Sequence, residues 1–517
     1  MSGSMLDQPL LLPCGSTLKN RVAKAAMTEN LADEHGMATA RHCVLYRAWA
    51  EGGSGMLLTG NVQVDRRYLE RPGNICIEGE QSPLAMERLR ALAQAGSANG
   101  TQLWAQLGHA GRQSTAKVCD TPVAPSAVPM AGIPSFAVAH PRAMTADEIA
   151  ELPSRFATAA AACEAAGFAG VQVHAAHGYL LSSFLNPRAN VRTDGYGGPL
   201  ANRARALLQA VRAVRERVGP RFGLSVKLNS SDFQKGGFTH AEAIEVACLL
   251  GHEGVDLLEL SGGNYESPTI TGSRASVAAG PADAATDAET AKAGAKMRES
   301  TKLREAYYLL YCRDVRAALD AQAAAAAAAA TATKAKAKAA GMALMLTGGF
   351  RSRTAMEAAL ADGDLDVVGL GRPLCGAPGC VNELLADPAH VLPAFEDELR
   401  LSYGNFFGAL VRHALGSFRL WQLVLVITVQ AWYYDMIYRI ADGKSNTPDF
   451  KGAVARIGCL GAYLRNEMEE GRKASRLVGP DCKGTHYSGR EKESVPWLKL
   501  KLIAGITMAM LAYRMLS

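Results

Sequence analysis

The feature that most limits the fold is a repeated unit: a short apolar run, closed by glycine or a polar residue, then a stretch of helix or loop length. Such runs occur at 22–27, 53–61, 102–107, 168–174, 222–228, 255–261, 343–349 and 366–371. Near-continuous apolar runs of this size read as strands covered on both faces. Strands that alternate with helical stretches pair in parallel, because each crossover returns the chain to the same edge. Eight such units close on themselves, so the expected fold class is α/β, a (β/α)8 TIM barrel. A barrel of that kind fills residues 1–400 and leaves 401–517 as a C-terminal, partly apolar helical extension.

Local signals support the units. Thr145-Ala-Asp-Glu148 has the spacing of a capping box and opens a helix that runs through the alanine-rich 154–166. A second helix is expected over Ala201–Val218 and a long one over 302–340, where Ala323–Ala330 is a low-complexity spacer. Residues 1–20 suit a short hairpin below the barrel. The Pro, Ala and Ser-rich 119–142 reads as a long loop, and 264–300 as an insertion over the barrel mouth.

One unit carries most of the chemistry. The run that begins at Phe168 ends at His174, and His177 and Tyr179 follow at once, where loops after strand ends build sites in a barrel. A single strand-end histidine is more often a structural hydrogen-bonder, but the spacing His-x-x-His-x-Tyr is hard to explain by packing. Two histidines three apart also suit a metal, yet no third ligand follows at suitable spacing, so no metal is assigned.

The longer pattern His174-Ala-Ala-His177-Gly178-Tyr179-Leu180-Leu181, Phe184-Leu185-Asn186-Pro187, Asn190, Arg192-Thr193-Asp194, Tyr196-Gly197-Gly198 and Asn202-Arg203 resembles the signature of the old yellow enzyme family of FMN-dependent ene reductases. His109-Ala-Gly-Arg112 extends the likeness, which covers roughly residues 8–390. It implies bound FMN, NAD(P)H as reductant, and an α,β-unsaturated carbonyl compound as small-molecule substrate. The substrate oxygen would lie between His174 and His177, with Tyr179 as proton donor. Ala26, Met27 and Thr28 would lie against the flavin ring, the Thr28 hydroxyl bonding a flavin carbonyl. Lys227 stands where the family commonly has Arg, and keeps the cation that offsets negative charge on reduced flavin without Arg's planar fork.

The residues add three expectations of their own. Gly60 lets a flat ring approach the backbone, and Gln106 can donate and accept in the plane of a pyrimidine edge. Gly348, Gly349, Gly371 and Arg372, after the seventh and eighth runs, fit the phosphate site that such barrels build there.

Composition narrows the function classes. A net charge of +6 over 517 residues, without basic clusters, argues against nucleic acid. The 11 cysteines contain no C-x-x-C pair. Cys375, Cys380, Cys459 and Cys482 are too dispersed for the iron–sulfur cluster of the dienoyl-CoA or trimethylamine type of flavin enzyme. A non-catalytic, membrane-tethered flavin-binding scaffold is the alternative. Oligomeric state is left open.

The extension holds two apolar segments, 420–434 and 502–513, both short for a bilayer crossing. Trp421, Trp432, Tyr433, Tyr434 and Tyr438 crowd the first, and Trp497 and Tyr513 bracket the second, as interfacial anchors would. Membrane contact through these segments is therefore expected. With no signal or transit pattern at the start, the expected location is cytoplasmic, attached to an intracellular membrane through the C-terminus.

Overall fold

The structure is a computed structural model. It describes residues 4–131, 133, 138–263, 302–329, 341–395 and 418–444. Eight parallel strands close a barrel: β1 Val22–Lys24, β2 Met56–Gln63, β3 Gln102–Gly108, β4 Gly170–Ala175, β5 Gly223–Asn229, β6 Leu257–Ser261, β7 Ala343–Thr347 and β8 Val367–Leu370. Each pairs with its neighbours in chain order, and β8 returns to β1 through Val368 opposite Val22. All eight expected runs are strands of this barrel.

The helices between them are α1 Ala40–Glu51, α2 Pro83–Gly96, α3 Ala146–Ala166, α4 Arg205–Arg217, α5 His240–His252, α6 Lys302–Ala329, α7 Arg353–Ala361 and α8 Cys380–Ala386. The capping box at α3 is formed: Thr145 Oγ1 accepts from Glu148 N at 3.2 Å, and Glu148 accepts from Thr145 N at 2.8 Å. The α6 segment is more than a spacer. Cys312 and Val315 are fully buried and Arg313 holds Asp364 at 2.8 Å, so its middle supplies the helical layer between β6 and β7. The expected insertion at 264–300 and the end of the alanine tract lie outside the described residues.

The barrel floor is apolar and tightly filled. Leu18, from the antiparallel pair Leu10–Leu11 and Thr17–Leu18, and Leu12, from the turn between those strands, join it, as expected for a hairpin within residues 1–20. Trp104 fills its centre. A Cβ on Gly223 would come 2.0 Å from the Trp104 ring and one on Gly170 2.6 Å, so both positions need glycine.

For the first apolar segment the structure departs from the membrane reading. Helix α9, Phe418–Ala441, lies against α1 and the turn after β8. Trp432 and Tyr433, expected as interfacial anchors, are 4% and 8% exposed, and Trp432 packs on Phe395 with centroids 5.1 Å apart. Tyr438 accepts from Asn30 Nδ2 at 3.1 Å, and Asp442 pairs with Arg41 at 2.7 Å. Trp432 and Tyr433 thus turn their apolar surface to the barrel. Among the described residues no helix is long and apolar enough to cross a membrane. The 502–513 segment lies outside them.

Candidate active site

Strand β4 delivers His174 to the barrel mouth, where only 3% of it is exposed. Its Nδ1 accepts the Ala176 N–H at 3.2 Å. Burial, then the neighbouring His177 and Lys227, hold its pKa well below the usual histidine value, so the ring is neutral and its proton sits on Nε2. His177 has a left-handed backbone, φ 62°, which turns the chain sharply after the strand. The turn is held by the His177 N–H donating to Asn229 Oδ1 at 3.2 Å and by Gln113 Nε2 donating to the His177 carbonyl at 2.7 Å. His177 Nε2 lies 2.8 Å from Ser261 Oγ, and burial with Lys227 also keeps this ring neutral.

The two imidazoles meet edge to face with centroids 5.3 Å apart, and Tyr179 lies 4.8 Å from His174. Tyr179 is the first residue before the short helix Leu180–Leu185, which fixes its direction. The fold thus brings together the three residues that the sequence groups, with His174 in ring contact with both others. Among the described residues no cluster of three potential metal ligands exists, so the histidine pair stands without a metal-binding set.

Beneath this group a polar network crosses the barrel. Gln106 Nε2 donates to Gln172 Oε1 at 2.7 Å, and Gln172 Nε2 donates to Glu259 Oε2 at 2.8 Å and to Ser225 Oγ at 3.1 Å. Lys227 Nζ pairs with Glu259 Oε1 at 2.8 Å, both side chains being almost wholly buried. A charge so placed is tolerable because it is paired and hydrogen-bonded. Strand register brings these residues together, with Lys227 opposite both His174 and Glu259.

On the opposite arc, Met27 and Gly371 meet at the ends of β1 and β8: a Cβ on Gly371 would lie 3.7 Å from Met27 Sδ. Ala26 borders the inner core. Gly348 and Gly349 both take positive φ, 132° and 87°, and Arg372 follows Gly371 at the start of the short helix Pro373–Gly376. Glycine backbone at the ends of two paired strands, with an Arg next in sequence to one of them, suits a phosphate. Gly60 has a different reason from the one expected. A Cβ there would meet Glu29 at 2.2 Å and the Met27 carbonyl at 2.6 Å, so glycine admits the loop after β1 rather than a flat ring.

Thr28 donates its hydroxyl proton to Glu70 Oε2 at 2.7 Å, and Asn61 Nδ2 donates to the same oxygen at 2.7 Å. Asn61 Oδ1 is left buried without a partner beside the barrel mouth, which is the mark of a pocket built for a hydrogen-bonding ligand. Together with the glycine ends and Lys227, this donor and acceptor set fits FMN. Sequence reasoning missed Glu70, Asn61, Gln172, Asn229, Glu259 and Ser261. Gln172 and Glu259 carried a signal, being single polar residues within apolar strands.

Residues 6–296 match the NADH:flavin oxidoreductase / NADH oxidase family. The chain belongs to that family of FMN-dependent, NAD(P)H-using oxidoreductases. It is 35% identical over 387 residues to the NADH-dependent flavin oxidoreductase iccE of Talaromyces variabilis, covering 72% of this chain and 84% of that one. It is also 35% identical over 380 residues to the NADH-dependent flavin oxidoreductase iliE of Neonectria sp. (strain DH2), covering 71% of this chain but only 45% of that protein. The old yellow enzyme homologue from Zymomonas mobilis has the same fold, with a TM-score of 0.54, 23% identity, and coverage of 75% of this chain and 95% of that one.

Proposed function

We propose that the protein reduces the activated C=C bond of α,β-unsaturated carbonyl compounds at the expense of NAD(P)H. The observation that carries the reading is the pair of neutral imidazoles at the end of β4, His174 buried and His177 partly so, with the Nδ1 of His174 committed to a backbone N–H. An imidazole fixed in that tautomer presents Nε2–H to a carbonyl oxygen. His177, whose Nε2 meets Ser261 Oγ at 2.8 Å, would offer its Nδ1–H when Ser261 donates to Nε2, and two imidazole donors around one oxygen polarise it and stabilise the enolate charge that develops as the alkene is reduced. FMN, when bound, relays the two electrons from NAD(P)H to the alkene as hydride.

Tyr179, in ring contact with His174, supplies the proton to the other alkene carbon. A phenol, with its reference pKa of about 10, suits a strongly basic carbanion. Ala26, Met27, Thr28, Gln106 and Lys227 line the side on which the flavin ring would rest, and Gly348, Gly349, Gly371 and Arg372 would hold its phosphate. The test is an anaerobic absorption titration. Flavin bands that bleach with NADPH and return with 2-cyclohexenone support the reading. Bands that bleach but return only with oxygen would reject enones as substrates.

A further inference from the structure

Reduced flavin is richer in electrons than oxidised flavin, so a site favours reduction by aiming protons and cations at the ring and opposes it by withdrawing them. The groups here best placed to favour it are the Thr28 hydroxyl and the Lys227 ammonium. Each is engaged by a carboxylate. Thr28 gives its one hydroxyl proton to Glu70 Oε2 at 2.7 Å, and Asn61 Nδ2 gives a proton to the same oxygen at 2.7 Å. Both side chains therefore commit a donor to Glu70, and the Asn61 Oδ1 is left buried without a hydrogen-bond partner. Lys227 is engaged at 2.8 Å by the fully buried Glu259, whose other oxygen is held by Gln172 at 2.8 Å.

We propose that Glu70 and Glu259 are positioning residues that hold the flavin at a low reduction potential, Glu70 by taking the Thr28 proton and Glu259 by engaging Lys227. Arg71 lies 3.7 Å from the other Glu70 oxygen and offsets part of its charge, but leaves the Thr28 proton with Glu70. A low potential makes the bound flavin a stronger donor of the two electrons it takes from NAD(P)H. The inference rests on the proposed placement of the FMN ring against Thr28 and Lys227, and stands or falls separately from the choice of enone as substrate.

The experiment is the midpoint potential of the FMN-loaded protein, read from flavin absorbance during anaerobic reduction against a reference dye. Glu70→Gln removes a negative charge and leaves an amide oxygen that is a weaker acceptor for the Thr28 proton. It should shift the ratio of affinities for reduced and oxidised FMN about tenfold toward reduced, a rise of about 30 mV for a two-electron couple. Glu259→Gln should shift it in the same direction. Thr28→Val supplies a readout that a merely structural role would not move: no shift in the native background, but a fall when combined with Glu70→Gln. Glu70→Gln protein that binds FMN stoichiometrically at an unchanged or lowered potential would overturn the proposal. So would a fall in potential from Thr28→Val alone. Glu70 is partly exposed, so its variant does not depend on refilling the core.

Discussion

The floor and the mouth of this barrel are built by the same strands only a few residues apart, yet obey different rules. At the floor Trp104, Met56, Leu58, Leu257, Met345 and Val367 fill the bore with apolar surface, and glycines 170 and 223 exist to admit one indole ring. At the mouth Gln106, Gln172, Lys227 and Glu259 fill the same bore with hydrogen bonds and an ion pair. Floor residues contribute stability through contact area. Mouth residues cost desolvation and are kept in place by mutual satisfaction. Stability and chemistry are thus separated along each strand, and substitutions at the two levels should have separable effects.

The largest effect is expected at the mouth. Tyr179→Phe keeps the ring that packs on His174 and deletes only the hydroxyl. Alkene reduction should slow by about 10²–10⁴, the usual worth of a general acid, while flavin reduction by NAD(P)H and the melting temperature stay close to native. Stopped-flow measurement of the two half-reactions checks this. Equal loss in both would remove Tyr179 from the proton-donor role.

Trp104→Ala reverses the pattern. Removing a buried indole from the floor should cost about 3–5 kcal/mol of stability through lost burial and the cavity left behind. Denaturant unfolding measures the cost, and the folded fraction should still bind FMN. Gly223→Ala should also destabilise, because its Cβ would have to share space with the same ring.

The two levels also differed in how plainly they could be read from the chain. The barrel was legible because every strand falls largely within a short apolar run closed by glycine or a polar residue, and the His174, His177 and Tyr179 group because its members sit within one turn of one strand end. The Lys227 and Glu259 pair was not, since its partners lie on different strands and only closure of the barrel sets their register. Glu70 was invisible for the same reason: it sits on the loop after β2 and becomes part of the site only by folding back over Thr28. Helix α9 was misread because aromatic residues bracketing an apolar segment look alike whether their partner is lipid or a barrel wall. Trp432 and Tyr433 resolve that ambiguity by burial.

Buried histidines away from the catalytic pair make stability depend on pH. Burial lowers His42 and His109 to about 4 from an ordinary 6.5. Above 6.5 both are neutral folded and unfolded, and titration has no effect. As pH falls from 6.5 toward 4 the unfolded chain takes up protons that the folded chain refuses, so stability declines across that window. At 1.36 kcal/mol per unit, each site contributes a loss of roughly 3 kcal/mol. Urea unfolding at pH 7, 5.5 and 4.5 should show the decline, and His42→Gln should remove a share of its slope. Unchanged stability from pH 7 to 4.5 would contradict the burial argument.

The smallest effect tests whether α9 belongs to the mouth. Tyr438 accepts a hydrogen bond at 3.1 Å from Asn30, whose own left-handed φ of 57° and bond to the Gly73 N–H at 2.9 Å shape the loop that follows Thr28. Helix α9 therefore braces the same loop that presents Thr28 to Glu70. Tyr438→Phe removes one partly buried hydrogen bond and should cost about 1 kcal/mol, too little to undock a helix held by Trp432, Tyr433, Met436 and Ile437. The informative readout is local. Amide exchange should quicken around 28–33 and 70–74 while the α9 amides stay protected. If α9 loses protection and the loop does not, the helix is a separate appendage and the mouth ends at the barrel.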